Sequence, residues 1–308
     1  MLGARGLGDR CAPGRLGGSL LESVPHRLRP GGIAITPRPK VDGCDRTGII
    51  WPRGSDEGHM AIMPDRVSPV PDAIEFRSDV TVELVRASAR DADVIFAARV
   101  STAGESTLDE IDADPERSRG LINYLMRERH GSPFEHNSMT FFVRAPIFVW
   151  REHMRHRIAS YNEESGRYRE LEPVFYVPDR SRNVVQIGKT GAYEFIPGDD
   201  HQYALIESEM KASCERAYRA YKDLLDAGVA REVARMVLPV SIYSSAYVTV
   251  NARSLMNFLS LRLKSDDSRY PSYPQREIEM VAEKYEDAWS ELMPITHASF
   301  VANGRVAP

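Results

Sequence analysis

The chain has 308 residues, 42% hydrophobic and 27% charged, enough for one large domain or two modest ones around a buried core. Forty Lys and Arg against forty-four Asp and Glu leave a formal charge of −4, which argues against a nucleic-acid coat protein. Cys11, Cys44 and Cys214 form no CxxC pair, and no apolar run approaches the roughly 18 residues of a membrane-crossing helix. A disulfide framework, a cysteine zinc site and a membrane span are excluded; a soluble, cytoplasmic protein in a reducing compartment is expected.

Residues 1–70 hold twelve of the 21 glycines and eight of the 20 prolines, with ten Lys and Arg against seven Asp and Glu. Neither a helical nor a strand period runs through Gly3–Gly8 or Pro30–Pro39, so these segments bury too little to offset chain entropy. The stretch reads as a disordered extension, with Met60 and Met63 as candidate starts and 71–308 as the folded domain. Its start is Arg-rich and acid-poor like a transit peptide, yet it is neither Ser-rich nor amphipathic.

Beyond it, Asp79–Val85 alternates as a strand and Asp91–Val100 reads as a helix. Gly120–Arg129 follows as a helix with Leu121, Ile122, Leu125 and Met126 on one face. Ser138–Val143 predicts a strand, and Pro146 the first turn of a helix reaching Ile158. Asp200–Ala227 predicts a long helix closed by Gly228. Ala230–Leu238 predicts a short helix stopped by Pro239, and Ile242–Val250 a strand; Ala252–Leu263 and Gln275–Leu292 are the last helices. The class is α+β, a mixed or antiparallel sheet flanked by long helices.

Familiar ligand motifs fail. Gly188-Lys189-Thr190 resembles the end of a phosphate loop, but position 183, where that loop needs Gly, is Asn183. No GxGxxG follows a strand. His130, Glu135, His136, His153 and His156 match no recognised metal spacing, so no metal is expected.

The arginines of Trp150–Glu170 are out of place. On a helix over 146–158, Ile147, Trp150, Met154 and Ile158 form one apolar stripe, with Arg151 and Arg155 stacked beside it and Arg157 on its other flank. Like charges so placed repel, and partial burial raises the cost unless an anion is near. Two readings stay open: pairing with Glu152, Glu163, Glu164 and Glu170, or a grip on an anionic ligand, phosphate above all. Arg262 is a second oddity. It continues the face of Leu255, Phe258 and Leu259, while Arg253 and Asn257 share a polar face. It is either a helix-end cation reaching solvent or a guanidinium at the edge of a dry pocket.

The string RHRIASYNEESGRY (Arg155–Tyr168) contains RHR-x7-S and strongly resembles the flavin-dependent thymidylate synthases. HGSPFEH (His130–His136), REVARMVLP (Arg231–Pro239) and NARSLMNFL (Asn251–Leu259) are similar to that family in the same order. SYPQREIEM (Ser272–Met280) and the closing THASFVANGRVAP resemble its longer actinobacterial members. The resemblance, over about 79–308, implies methylene transfer to dUMP from 5,10-methylenetetrahydrofolate, with FAD as cofactor and NADPH as reductant. It implies a homotetramer with shared active sites, without nucleic-acid or membrane partners. By the same likeness, Ser101, His130, Arg155, His156, Arg157, Glu163, Asn251, Arg253 and Asn257 are expected on the flavin. Glu152, His153, Arg155, Glu163, Glu164, Ser165, Gly166, Arg167, Arg235 and Arg262 are expected on the nucleotide. Glu152-His153 replaces the Gln-aromatic pair of many members. Arg262 is similar to the family's residue that polarises the uracil ring, and no cysteine nucleophile is expected; Cys214 sits in a long helix without a reactive-thiol pattern.

Overall fold

A computed structural model of the chain describes residues 74–103, 115–189 and 192–308. The readings placed on residues 1–70, including Cys11 and Cys44, lie outside the described residues.

A four-stranded antiparallel sheet organises the site. Its order is β2 (Thr81–Ser88), β3 (Ser138–Pro146), β8 (Tyr243–Val250) and β4 (Ser160–Glu163). β3 alternates strictly: Met139, Phe141, Val143 and Ala145 are buried, and the residues between them face the other way. On that other face Thr140 and Thr249 share a hydrogen bond of 2.9 Å, and Phe142 meets Tyr247 edge-on. β1 (Glu75–Arg77) pairs in parallel with β5 (Val174–Tyr176), and β6 (Val185–Lys189) pairs antiparallel with β7 (Ala192–Ile196). The mixed and antiparallel pairing expected from sequence is present.

Helices cover the apolar face. α1 (Asp91–Ala103) and α2 (Pro115–Arg127) precede a 3-10 turn at Ser132–Glu135. α3 (Ile147–His153) follows β3 directly, and α4 (Asp200–Asp226) is the longest helix described. α5 (Arg231–Ala234) continues into a 3-10 turn at Arg235–Val237. α6 (Ala252–Arg262), α7 (Arg276–Leu292) and α8 (Pro294–Ala302) complete the order. Local chemistry explains several ends. Asp199 and Gln202 cap α4 reciprocally, and Gly228 takes φ 81° just beyond its last turn. Asn251 caps α6 by accepting from the Ser254 amide at 2.8 Å. Ile278, Val281, Ala282, Tyr285 and Trp289 give α7 its buried stripe.

One expected helix is corrected. The pattern over 146–158 predicts four turns, but α3 ends at His153 and Ile158 is exposed. The amides of Arg155 and His156 bond back only three residues, to Glu152 and His153. The Tyr161 hydroxyl, on β4, donates to the His156 carbonyl at 2.8 Å and lies 3.2 Å from that of His153. A hydroxyl arriving from another strand captures the turn, and no periodicity count registers it. Arg155 and Arg157 therefore leave the helix, and the stacked-charge argument does not apply to them. The strand expected from Asp79 is β2, which begins at Thr81 and continues past a bulge at Val85.

Candidate active site

Three clusters collect the site residues expected from sequence, and Ser101 stands apart from them. The first is the turn after α3, facing the end of α6. Arg262 extends from the apolar face of Leu255, Phe258 and Leu259 with its side chain only 15% exposed. Its Nη1 donates to Glu152 Oε2 at 2.6 Å, and its Nε to His156 Nε2 at 3.1 Å. Arg262 does not reach out into solvent; its side chain is largely buried and committed to Glu152 and His156. The His156 ring packs on Phe258, 4.6 Å between centroids. Burial and then the Arg262 charge push its pKa down to about 4. His156 is neutral at pH 7, with Nε2 an acceptor and the proton on Nδ1. On the same turn Arg155 and Arg157 are exposed and make no ion pair with a described residue.

Beneath that turn lies His153, expected on the nucleotide and here 2% exposed. Its Nε2 lies 3.0 Å from the Tyr285 hydroxyl and its Nδ1 3.3 Å from that of Tyr161. Tyr161 gives its proton to the turn carbonyls, so His153 Nδ1–H donates to Tyr161 and Nε2 accepts from Tyr285. Burial, then the neighbouring His156, lowers the His153 pKa to about 3. Burial raises Tyr161 to about 12 and Tyr285 well above its usual range. This neutral, directional relay pins the arginine turn from below. His153 belongs to the support of the site, not to its surface.

The second cluster follows β4. Glu163 accepts from the Ser244 hydroxyl at 2.5 Å, and Glu164 accepts from the Ser245 amide at 2.8 Å. Both line a cavity of about 400 Å³ on the open face of the sheet, with Arg144, Arg169 and Glu172 at its rim. Those rim charges are paired, Arg144 to Glu172 at 2.7 Å and Arg169 to Glu172 at 3.1 Å. The Ser165 carbonyl accepts from the amides of Tyr168 and Arg169, forming a tight turn that carries Arg167. Gly166 is buried in it, where a Cβ would stand 3.0 Å from Leu171 and 3.2 Å from the Arg235 side chain. Helical periodicity puts Arg235 on a solvated face. Arg235 is exposed as that face implies, its side chain also passes close to Gly166, and Arg167 pairs with Glu232 at 2.9 Å.

The third cluster lies at the start of α6. Arg253 binds Glu135 and rests on Gly131, beside His130, whose ring meets Tyr124 edge-on. Asn257 is exposed and donates to the Arg253 carbonyl at 3.0 Å, and the Asn251 side chain is committed to the helix cap. Ser101, near the end of α1, donates to the Ala98 carbonyl at 3.0 Å. Among the described residues no hydrogen bond or ion pair joins these clusters. No group of three metal-ligating side chains occurs there either.

Sequence reasoning missed Ser244, Glu135 as the Arg253 partner, and the Tyr161–His153–Tyr285 relay. Each partner lies far away along the chain, apart from Tyr161, which sits inside the arginine-rich string itself. Cys214 is buried against Ser241 Oγ at 3.4 Å, and burial raises its pKa. It packs in one buried group with Phe175, Tyr218 and Ile242, and its polar partner is Ser241.

Comparison with known proteins adds a lineage to this geometry. Residues 83–295 match the family described as thymidylate synthase complementing protein. A flavin-dependent thymidylate synthase of Streptomyces coelicolor is 66% identical over 236 residues, spanning 76% of this chain and 96% of that protein. One from Tropheryma whipplei is 60% identical over 233 residues, 76% of this chain and 97% of its own. The crystal structure of a UMP/dUMP methylase, PolB from Streptomyces cacaoi bound with 5-Br dUMP, superposes with a TM-score of 0.71. It is 57% identical and covers 76% of this chain and 100% of that one.

Proposed function

The chain belongs to the flavin-dependent thymidylate synthases, and from that premise we propose that Arg262 is the group that activates the uracil ring. The activity is methyl transfer to dUMP, forming dTMP, with methylenetetrahydrofolate as carbon donor, FAD as cofactor and NADPH as reductant. The observation that carries the Arg262 role is its guanidinium on an apolar helix face, oriented by Glu152 and His156. Negative charge that develops on the pyrimidine when C5 becomes nucleophilic is stabilised most by a fixed donor in a water-poor place. A planar guanidinium offers such a donor without reorganising. Neutral His156 holds Nε while leaving the positive charge on Arg262.

The residues present fit a flavin. Its pyrophosphate is a dianion, and Arg155 and Arg157 are exposed cations with no carboxylate partner among the described residues. These two arginines and His156 would hold it, with Ser101, His130, Glu163, Asn251, Arg253 and Asn257 around its other parts. When bound, the reduced flavin supplies the hydride that completes the methyl group. The loop Glu164–Arg167, which the Arg235 side chain passes at Gly166, is suited to nucleotide phosphate and sugar, Arg167 and Arg235 being exposed cations there. Ser165 serves as a hydrogen-bonding group. Cys214, buried and with its thiol pKa raised by burial, supports a reaction without an enzyme thiolate. The separation of the clusters within one chain supports sites shared between subunits of a homotetramer.

The test is direct. The purified full chain should be yellow, with flavin absorbance, and should form dTMP from dUMP only when methylenetetrahydrofolate and NADPH are supplied. A colourless protein that neither takes up added FAD nor forms dTMP would overturn the assignment.

A further inference from the structure

Arg253 lies at the opposite end of α6 from Arg262, about 14 Å along the axis at 1.5 Å per residue. Its guanidinium is fixed on three sides. Nη1 donates to Glu135 at 2.5 Å, and Nε donates to the Pro308 main-chain oxygen at 2.7 Å. The plane rests on Gly131, where a Cβ would stand 2.5 Å from Cζ, so only glycine admits it. Nη2 keeps no hydrogen bond among the described residues.

The segment that supplies Pro308 is itself fastened at several points. The Arg269 amide donates to the Gly304 carbonyl at 2.9 Å, and Arg129 Nη2 donates to the Ala307 carbonyl at 2.9 Å. Arg305, 5% exposed, grips both oxygens of Glu286 at 2.8 Å. Burial alone would raise the Glu286 pKa, but hydrogen bonds from His297 and Arg305 pull it down to about 2. The pair therefore persists across the physiological range. Arg129 and Arg305 take φ of 61° and 55°, a conformation that residues with a Cβ hold only where surrounding contacts over-determine it. Only Arg305 lies in the segment, and Arg129 is its partner across the fold; both follow the last turn of a helix, α8 and α2, where the amides of Arg305 and His130 bond back five residues.

We propose that Gly304–Pro308 is a positioning strap for the flavin side of the site. Its Pro308 main-chain oxygen, with Glu135, locks Arg253 in one rotamer, so that Nη2 alone is presented to the bound flavin. The strap rests on the flavin reading above. Arg129 and Glu286 act through it and touch no ligand. A pre-oriented guanidinium loses less side-chain entropy on binding, so loosening the strap lowers flavin affinity at the site without disturbing the Arg262 end.

The test is a double-mutant cycle on the flavin-stripped full chain, with FAD affinity read by fluorescence titration and dUMP affinity beside it. Arg129→Met and deletion of residues 307–308 each loosen the strap by different routes, so one informs should the other fail to fold. Each should weaken FAD binding by about five- to tenfold, the scale of one ordinary hydrogen bond, with dUMP affinity unchanged. In an Arg253→Ala background the same changes should cost nothing further. An equal loss in both backgrounds, or a parallel loss of dUMP binding, would mean that the segment acts on the fold as a whole and would overturn the strap. A wild-type chain that binds no FAD would remove the flavin reading, and the strap with it.

Discussion

Helix α6 carries an arginine near each end, and their surroundings differ in kind. Arg262 is 15% exposed on an apolar face, and its partners Glu152 and His156 come from one turn. Arg253 is 39% exposed, and its partners Glu135 and Pro308 come from remote parts of the chain. A charge in a dry place cannot be left unpaired, so the turn that feeds Arg262 must itself be rigid. That rigidity comes from a neutral buried relay rather than from more charge. A half-exposed guanidinium is screened by water, and what its partners supply is orientation. One helix thus presents an electrostatic end and a positioning end.

Breaking the electrostatic end should have the largest effect. Arg262→Ala is expected to retain fold and most flavin but to lose dTMP turnover by about 10²–10³, roughly 2.7–4 kcal/mol. Arg262→Lys should recover little, since a point charge lacks the planar fork. Turnover at saturating dUMP is the measurement. Normal turnover, or a loss confined to dUMP affinity, would return Arg262 to simple binding.

The relay beneath it predicts an acid sensitivity. His153 has its pKa lowered in the fold to about 3, so between pH 6.5 and 3 the unfolded chain binds the extra proton. Its contribution to stability is present above pH 6.5 and is lost as pH falls. Between pH 7 and pH 5 the loss should be about 2 kcal/mol, read by denaturant unfolding at each pH. His153→Phe should remove that part of the dependence, leaving the part of similar size that comes from His156. An unchanged slope would show that another group governs acid unfolding.

A smaller effect separates charge from placement at Glu152. Glu152→Ala removes the 2.6 Å acceptor of Arg262 and should lower turnover about tenfold, or about 1.4 kcal/mol. Glu152→Gln keeps an acceptor oxygen and should stay within about threefold of wild type. If both variants behaved alike, the carboxylate charge itself would be the active element. The smallest expected effect is at Cys214. A variant with Cys11, Cys44 and Cys214 all changed to Ala should still make dTMP; abolition with fold and flavin intact would reinstate a thiolate.

Much of this architecture was legible in the chain. The alternation of Met139, Phe141 and Val143, the stripe of α7 and the Gly228 stop are local patterns that burial and backbone geometry convert directly into elements. The odd position of Arg262 was legible for the same reason, because a charge on an apolar helix face breaks the period. Short elements were not: β1, β5 and the β6–β7 hairpin run three to five residues, too short to show a period.

By itself the sequence determined which side chains were anomalous, the residue types able to bind anions, and the long helices and central strands that carry them. Only the tertiary structure decided their partners. Tyr161 ends α3 early, Glu152 and His156 orient Arg262, Gly166 admits Arg235, and the Pro308 main-chain oxygen aims Arg253. Periodicity reports the forces acting within one element. A hydrogen bond between residues 253 and 308, or 152 and 262, depends on how separate elements pack, and packing leaves no period in the chain.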